Sequence, residues 1–369
     1  MTVIPAYRHP DFSRPELASA PAVRVVPAPA DGVLPERFHA TSNLPEYVHL
    51  GGGRWLLAEQ GRMDGVMVLH GEKLAVIEPR LVRRGDPVVV ARTVRGEEGV
   101  YVHAHGFDPP AAADDEAFAF RTRGTRETPF SRSYDTLYRI LRHDRLHGTI
   151  VWVLGPAVVF DSDSRAAMTA LIGAGYCHAL LAGNALATHD LEAARFGTGL
   201  GQDIYSQGLH PGGHCNHLDT INAVRRCGSI PGAIRELGIA DGVMAACERQ
   251  RVPYVLAGSI RDDGPLPGVI TDACAAQDAM RIHARRATTV LALATQLHAI
   301  AFGNMLPGYQ VGAGGVVRPV FLFVVDMSEF GVDKLANRGS LQAIPILTNV
   351  QDFMVNLRHN LCALPGEGP

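Results

Sequence analysis

From Thr149 onward the chain alternates short, almost wholly apolar runs with segments of helical periodicity, and this rhythm restricts its fold more than any other feature. The runs are Thr149–Leu154, His178–Ala182, Tyr254–Ala257, Thr289–Ala294, Val320–Val325 and Ala343–Leu347. A strand that is apolar at both odd and even positions has two buried faces, which calls for a parallel sheet with helices on each side. Residues 134–369 are therefore expected to form an α/β domain around a parallel, doubly wound sheet, opening with a helix from Ser133 that carries Tyr134, Leu137, Tyr138 and Leu141 at helical spacing.

The preceding part reads differently. Trp55–Leu57, Gly65–Leu69, Leu74–Ile77, Val88–Ala91 and Val100–Val102 are β-type runs separated by glycine and charge, which predicts a small β-rich domain over residues 31–107. The Pro- and Ala-rich residues 1–30 predict an extended arm rather than a packed element, and 108–133 a linker. A length of 369 residues suits two domains.

Composition excludes several functions. The formal net charge is −3 and the basic residues are scattered, so no nucleic-acid partner is expected. The longest apolar run, Thr149–Phe160, is broken by Gly155-Pro156 and falls short of the roughly 20 residues a membrane span needs. No apolar leader opens the chain, which predicts a cytoplasmic protein. The six cysteines all lie in the second half without a C-x-x-C pair, which predicts reduced thiols. Only Lys73 and Lys334 are lysines, so Schiff-base chemistry has two candidates.

In an open parallel sheet, ligands bind beyond the carboxyl ends of the strands. Beyond the strands proposed here stand Gly155-Pro156, Gly183-Asn184-Ala185, Gly258–Gly264, Thr295–His298, Asp326 and Thr348-Asn349. Each loop alone can be a simple turn; together they gather amide, hydroxyl, imidazole and carboxylate on one edge. Asp326 can accept from both ribose hydroxyls of a dinucleotide, favouring NAD over NADP, or can cap the following helix. No G-x-G-x-x-G follows any of the strands.

Two segments carry further chemistry. Gly212–Thr220 holds His214, Cys215, Asn216, His217 and Asp219. Its spacing fits no standard zinc pattern, so no metal is expected; substrate binding by the imidazoles and Asn216 suits it better, with Asp219 capping a helix over Thr220–Arg226. In Ser259–Pro267, Arg261 offers a planar fork to a substrate carboxylate, and the adjacent Asp262 and Asp263 can supply a general base. The same residues can also do no more than brace a Gly-Pro turn. Ser259 lies in no G-x-S-x-G elbow, which disfavours hydrolysis.

With these loops in view, the chain resembles the archaeal-type ornithine cyclodeaminases, also described as LOR/SDH-like, which form the C-terminal half of bacterial arginine dihydrolase/ornithine cyclodeaminase fusions. The resemblance runs from about residue 31 to the C-terminus. It is carried by Asp31–Phe38, Thr41–Pro45, Gly155–Val159, Leu181–Ala187, Gly213-His214 with Asn216–Leu218, Leu256–Pro267, and Leu297-His298 with Gly303–Pro307. It implies an NAD-binding domain similar to that of deoxyhypusine synthase, which would account for the absent glycine fingerprint. It further implies NAD against Asn184, Ala185, Asp263, Thr295, Gln296, Leu297, His298 and Asp326, which makes Asp263 a cofactor contact and leaves Asp262, His214 and His217 for catalysis.

The reaction so implied is a redox-neutral deamination of ornithine, or a close basic amino acid, to proline and ammonia by way of a Cα imine, with Arg261 and Asn216 binding the substrate. A small-molecule amino acid is the expected partner, with no nucleic acid, no membrane, and assembly as a homodimer or homotetramer. Competing expectations are an opine-type or amino-acid dehydrogenase, an aminobutyl transfer that would need a lysine, and a non-catalytic NAD-binding regulator.

Overall fold

The computed structural model describes residues 4–107, 131–328 and 342–362 apart from Asp263; the side chains of Ser131, Arg132, Gln296, Leu297, Ala313 and Gln342 are also outside the description. These residues divide into two units, the first combining the N-terminal part of the chain with Gly303–Phe321.

In the first unit, β1 (Arg24–Pro27), β4 (Val66–His70), β5 (Lys73–Ile77) and β6 (Pro87–Val90) form an antiparallel sheet in the order β1–β6–β4–β5. A second antiparallel sheet holds β2 (Glu46–His49), β3 (Trp55–Leu57) and β7 (Val100–Val102), with β2 central. Alternation assigns the faces: Met67 joins Val48, Val76, Val89 and Val100 in one core, while its neighbours Val66 and Val68 join Ala28, Val82 and Val88 in another. The two-residue turn Gly71-Glu72 between β4 and β5 is met by Gly71 at φ +62°.

Two boundaries differ from expectation. Residues 24–27 are a paired strand and Leu17 is buried, so the N-terminal segment is packed; Val23, Val25 and Val26 supply strand propensity inside a Pro/Ala-rich stretch. Gly303–Phe321, with its hairpin of β14 (Tyr309–Val311) and β15 (Val317–Pro319), belongs to the first unit, so 134–369 is not one uninterrupted domain. Tyr309 explains the attachment, since its buried hydroxyl donates to the Ala58 carbonyl of the same unit. Most of the expected linker lies outside the described residues, and the helix after it, α2, starts at Ser131.

The second unit has the expected architecture. Its six-stranded sheet contains β8 (Ile150–Leu154), β9 (Ala179–Gly183), β12 (Tyr254–Ala257), β13 (Thr289–Leu293), β16 (Phe321–Asp326) and β17 (Gln342–Leu347). They lie in the order β12–β9–β8–β13–β16–β17, with β12–β9, β9–β8 and β8–β13 parallel. In chain sequence this is third, second, first, fourth, fifth, sixth, the doubly wound arrangement whose direction of winding reverses between β8 and β13. Every residue of β8 and β13 is buried, as a sheet covered on both faces demands. Around it run α2 (Ser131–His147), α3 (Ser162–Gly173), α4 (Asn184–Phe196), α5 (His214–Arg226), α6 (Ile230–Glu236), α7 (Val243–Gln250), α8 (Ala273–Ala284), α9 (from Gln296) and α10 (Val350–Leu361). Among the described residues no helix is long and apolar enough to cross a membrane.

One element starts earlier than its sequence suggests. The helix expected over Thr220–Arg226 begins at His214, so Asp219 sits within α5 and does not cap it. Its first turn is set by a backbone contact: a Cβ on Gly213 would collide with the Gly201 carbonyl, and Gly201 itself has φ +77°.

Candidate functional site

The winding reverses between β8 and β13, the place where open α/β sheets bind ligands, and the loops after these two strands meet there. The Gly155 amide donates to the Leu293 carbonyl at 2.8 Å. A Cβ on Gly155 would strike the Ala294 carbonyl oxygen and stand 3.3 Å from Thr295 Cβ, so only glycine permits this approach. Ala294 adopts φ +50°, an uncommon conformation for a residue with a side chain, and it turns the chain into α9 immediately beyond the strand.

The neighbouring strand end is built on the same plan. Gly183 ends β9 and starts α4 without a side-chain cap, whereas Asp161, Ser229, Asp272 and Asn349 cap α3, α6, α8 and α10. A Cβ on Gly183 would stand 3.0 Å from His298 Cε1, so α9 lays an imidazole against the end of β9. Asn184 is buried and its Oδ1 accepts from the Leu266 amide at 2.9 Å, tying the loop after β12 to the first turn of α4. In that loop the Asp262 carboxylate accepts from the Ser259 amide at 2.8 Å, and the exposed Arg261 donates its amide to Ser259 Oγ at 3.2 Å. Burial pushes the His298 imidazole below its ordinary pKa, and the nearby Asp262 charge partly offsets the shift. Further along the edge, Asp326 Oδ1 accepts from the Ser328 amide at 2.9 Å.

The structure thus brings Asn184, Ala185, Arg261, Asp262, Thr295, His298 and Asp326 to one edge of one sheet. Asp263 lies outside the described residues, and of Gln296 and Leu297 only their backbone position in the first turn of α9 is described.

The remaining candidates stand together on the first turns of α5, and they meet residues that sequence reasoning passed over. Glu192 of α4 is fully buried. Its Oε1 accepts from Thr198 Oγ1 at 2.9 Å and the Gly201 amide at 3.1 Å. Its Oε2 is 3.3 Å from His189 Nδ1, 3.3 Å from His217 Nδ1 and accepts from the Leu200 amide at 3.2 Å. Burial pushes the Glu192 carboxyl up, but the bonds to His189, His217, Gly201 and Thr198 outweigh it and hold the acid well below the usual carboxylate range. Asn216 reaches the same centre through its amide, which donates to Thr198 Oγ1 at 3.0 Å. His214, by contrast, is exposed.

The imidazoles of His189 and His217 stack with centroids 4.9 Å apart, and the Phe160 ring is tilted against His189 at 4.8 Å. His189, Glu192 and His217 are also the one group of three among the described residues whose donor atoms are close enough to hold a metal ion. The clue to this centre was available in Thr188-His189-Asp190-Leu191-Glu192, four polar residues among five that follow the Ala/Leu-rich start of α4. Asp190 in the same run serves elsewhere, because its carboxylate accepts from Arg165 Nε and from the Val243 and Met244 amides and so braces the start of α7.

Known proteins share this fold and much of this sequence. The family model described as arginine dihydrolase ArgZ-like, C-terminal, Rossmann fold matches residues 136–357. The ornithine cyclodeaminase of Archaeoglobus fulgidus is 42% identical over 349 residues, which is 94% of this chain and 79% of that protein. The solved LOR/SDH protein from Methanococcus maripaludis superposes with a TM-score of 0.82 at 34% identity, covering 92% of this chain and 98% of that one. The ternary complex of AgrE with ornithine and NAD+ aligns with a TM-score of 0.57 at 31% identity, over 93% of this chain and 46% of AgrE. With the Rossmann-type sheet, the edge built around Gly155 and Gly183, and these matches taken together, the chain belongs to the archaeal-type ornithine cyclodeaminase family.

Proposed function

We propose that this protein converts L-ornithine to L-proline and ammonia, using NAD in a cycle with no net oxidation. The observation that carries the reading is the likeness, over 93% of this chain, to AgrE as solved with ornithine and NAD+ together. The residues present suit the cofactor. Gly155 and Gly183 let the Ala294 carbonyl and the His298 ring close onto the strand ends, and the start of α4, without a side-chain cap, leaves backbone amides that a pyrophosphate could use. Asn184, Ala185, Asp263, Thr295, Gln296, Leu297, His298 and Asp326 are the residues proposed to hold NAD, with the Asp326 carboxylate accepting from ribose hydroxyls.

When bound, NAD supplies first the acceptor and then the donor of one hydride at the substrate Cα. The rest falls to the chain. Arg261 binds the substrate carboxylate through its guanidinium fork, and Asn216 helps to orient the amino acid. Closure of the ring moves a proton from the side-chain ammonium to the departing α-amine, and Asp262, His214 and His217 are the groups proposed to carry it.

The test is direct. Purified protein is incubated with L-ornithine and a catalytic amount of NAD+, and ammonia, proline and NADH are quantified. Equimolar ammonia and proline without accumulating NADH is the expected result. NADH rising in step with product would mean a dehydrogenase instead, and no turnover of ornithine would remove this substrate.

A further inference from the structure

We propose that a cavity at the amino edge of the six-stranded sheet is a second ligand site, built for a small organic anion: a carboxylate or phosphate carried on an apolar body. It lies at the far ends of β9 and β12 from Asn184 and the Ser259–Pro267 loop, a strand length or about 15 Å away, and the proposed reaction makes no use of it.

The cavity encloses about 470 Å³, a volume suited to a small molecule. It forms where the ends of α2, α3 and α7 meet the starts of β9 and β12. Ile172, Val252 and Pro253 give it apolar walls, and the exposed Arg145 and Arg251 give it charge. Among the described residues that line it, none is an acid. The chain as a whole has 37 acidic against 34 basic residues, so two arginines around one cavity with no carboxylate between them are a local concentration of positive charge.

Both arginines are held in place. The Arg145 guanidinium lies over the ring of the buried Tyr176, 5.3 Å from its centroid, and His178 bonds to the Arg145 backbone. Arg251 is more telling. It ends α7 at φ +55°, a left-handed conformation that a side chain disfavours and that glycine usually supplies at a helix end. The four helices before it follow that habit, with Gly175 after α3, Gly197 after α4, Gly228 after α5 and Gly238 after α6, all at positive φ. The negative end of the α7 dipole does not call for arginine at 251, because Arg249 already stands in the last turn. What distinguishes the position is that its residue lines the cavity, and strain retained at such a residue marks a binding role.

The cavity is equipped to bind and not to react. Burial pushes the Cys177 thiol up, away from the nucleophilic thiolate, and His178 Nδ1 is occupied in accepting from the Ile150 amide at 2.9 Å. The guanidiniums are left to take an anionic head while the apolar walls take the body.

The test is calorimetric titration of the full chain with isocaproate and with isopentyl phosphate, which share a branched aliphatic body and differ in head group, and with neutral isocaproamide. At least one of the two anions is expected to bind with a Kd below about 1 mM, and isocaproamide about tenfold or more weakly; the tighter anion identifies the head group. R251G is the decisive variant, since it removes the guanidinium and supplies the residue this backbone favours. It is expected to keep or raise the Tm of the wild type while weakening the anion about tenfold or more. R145Q is expected to weaken it too, and R261K, at the other edge of the sheet, to leave it unchanged. Binding of neither anion, equal binding of isocaproamide, or wild-type affinity in R251G would overturn the proposal. So would a loss of binding in R261K, which would place the anion at the opposite edge.

Discussion

Gly155 and Ala294 face each other across the point where the sheet reverses its winding, so closely that a methyl group on Gly155 would overlap the Ala294 carbonyl oxygen. Both belong to strand ends that hydrogen-bond through Gly155 N and Leu293 O, and Ala294 holds a positive φ to make the approach. Backbone therefore shapes the sheet edge where the cofactor is proposed to sit, and a residue with a Cβ does not fit at position 155.

Replacing Gly155 by Ala forces these loops apart. The expected cost is about 1–3 kcal/mol of stability together with a clear loss of NAD affinity. Urea denaturation and a fluorescence titration with NADH measure the two effects, and unchanged NADH binding would show that the cofactor sits elsewhere.

Asp190 and Asp241 both pair with Arg165, but in different surroundings. Asp190 is buried and also serves two backbone amides, whereas the Asp241 side chain is 67% exposed. D190N is expected to cost about 3–5 kcal/mol by leaving Arg165 short of its buried partner. D241N should cost less than about 1 kcal/mol, because water screens that pair. Denaturation midpoints of the two variants check the contrast.

Glu192 predicts an acid-side loss of stability. In an unfolded chain a glutamate titrates at about 4.3, and in the fold this acid is held well below its ordinary range. A depressed folded value stabilises the protein fully above the unfolded pKa, and the contribution is lost as pH falls toward the folded value. The Tm difference between wild type and E192Q is thus expected to stay level above about pH 5.5 and to shrink below about pH 4. A difference that grows on acidification would contradict the hydrogen-bonding pattern.

Arg261 and Asp262 are neighbours with separable effects. R261K is expected to raise KM for ornithine by about tenfold or more, since an ammonium cannot reproduce the two-pronged contact, and to leave NAD affinity alone. D262N should lower kcat by about two to four orders of magnitude with NAD still bound. A D262N enzyme with wild-type turnover would leave the proton work wholly to the histidines.

The doubly wound sheet was legible in the sequence because burial on both faces leaves a local mark: strands such as Ile150–Leu154 have no polar position to spare. The edge residues were legible for a related reason, since whatever follows such a strand lies at its carboxyl end, and Asn184, Asp262, Thr295, His298 and Asp326 all do. Local pattern also sufficed for β4 and β5, joined by two residues.

What the sequence did not disclose depends on contacts between distant parts of the chain. The packed N-terminal strand Arg24–Pro27 exists because β6, far along the chain at Pro87–Val90, offers it an edge, and its Pro/Ala surroundings read as an arm. Gly303–Phe321 joined the first unit through Tyr309 and Ala58, a bond no periodicity announces. The centre around Glu192 shows the limit most plainly. His189 and Glu192 stand one turn apart on α4, but His217 reaches them only because Gly201 and Gly213 bring two backbones into contact and start α5 early. Burial patterns are local and repeat along the chain, so sequence determined the layers and the edge; a carboxylate shared by two histidines is a meeting of side chains in space, and tertiary packing alone decided it.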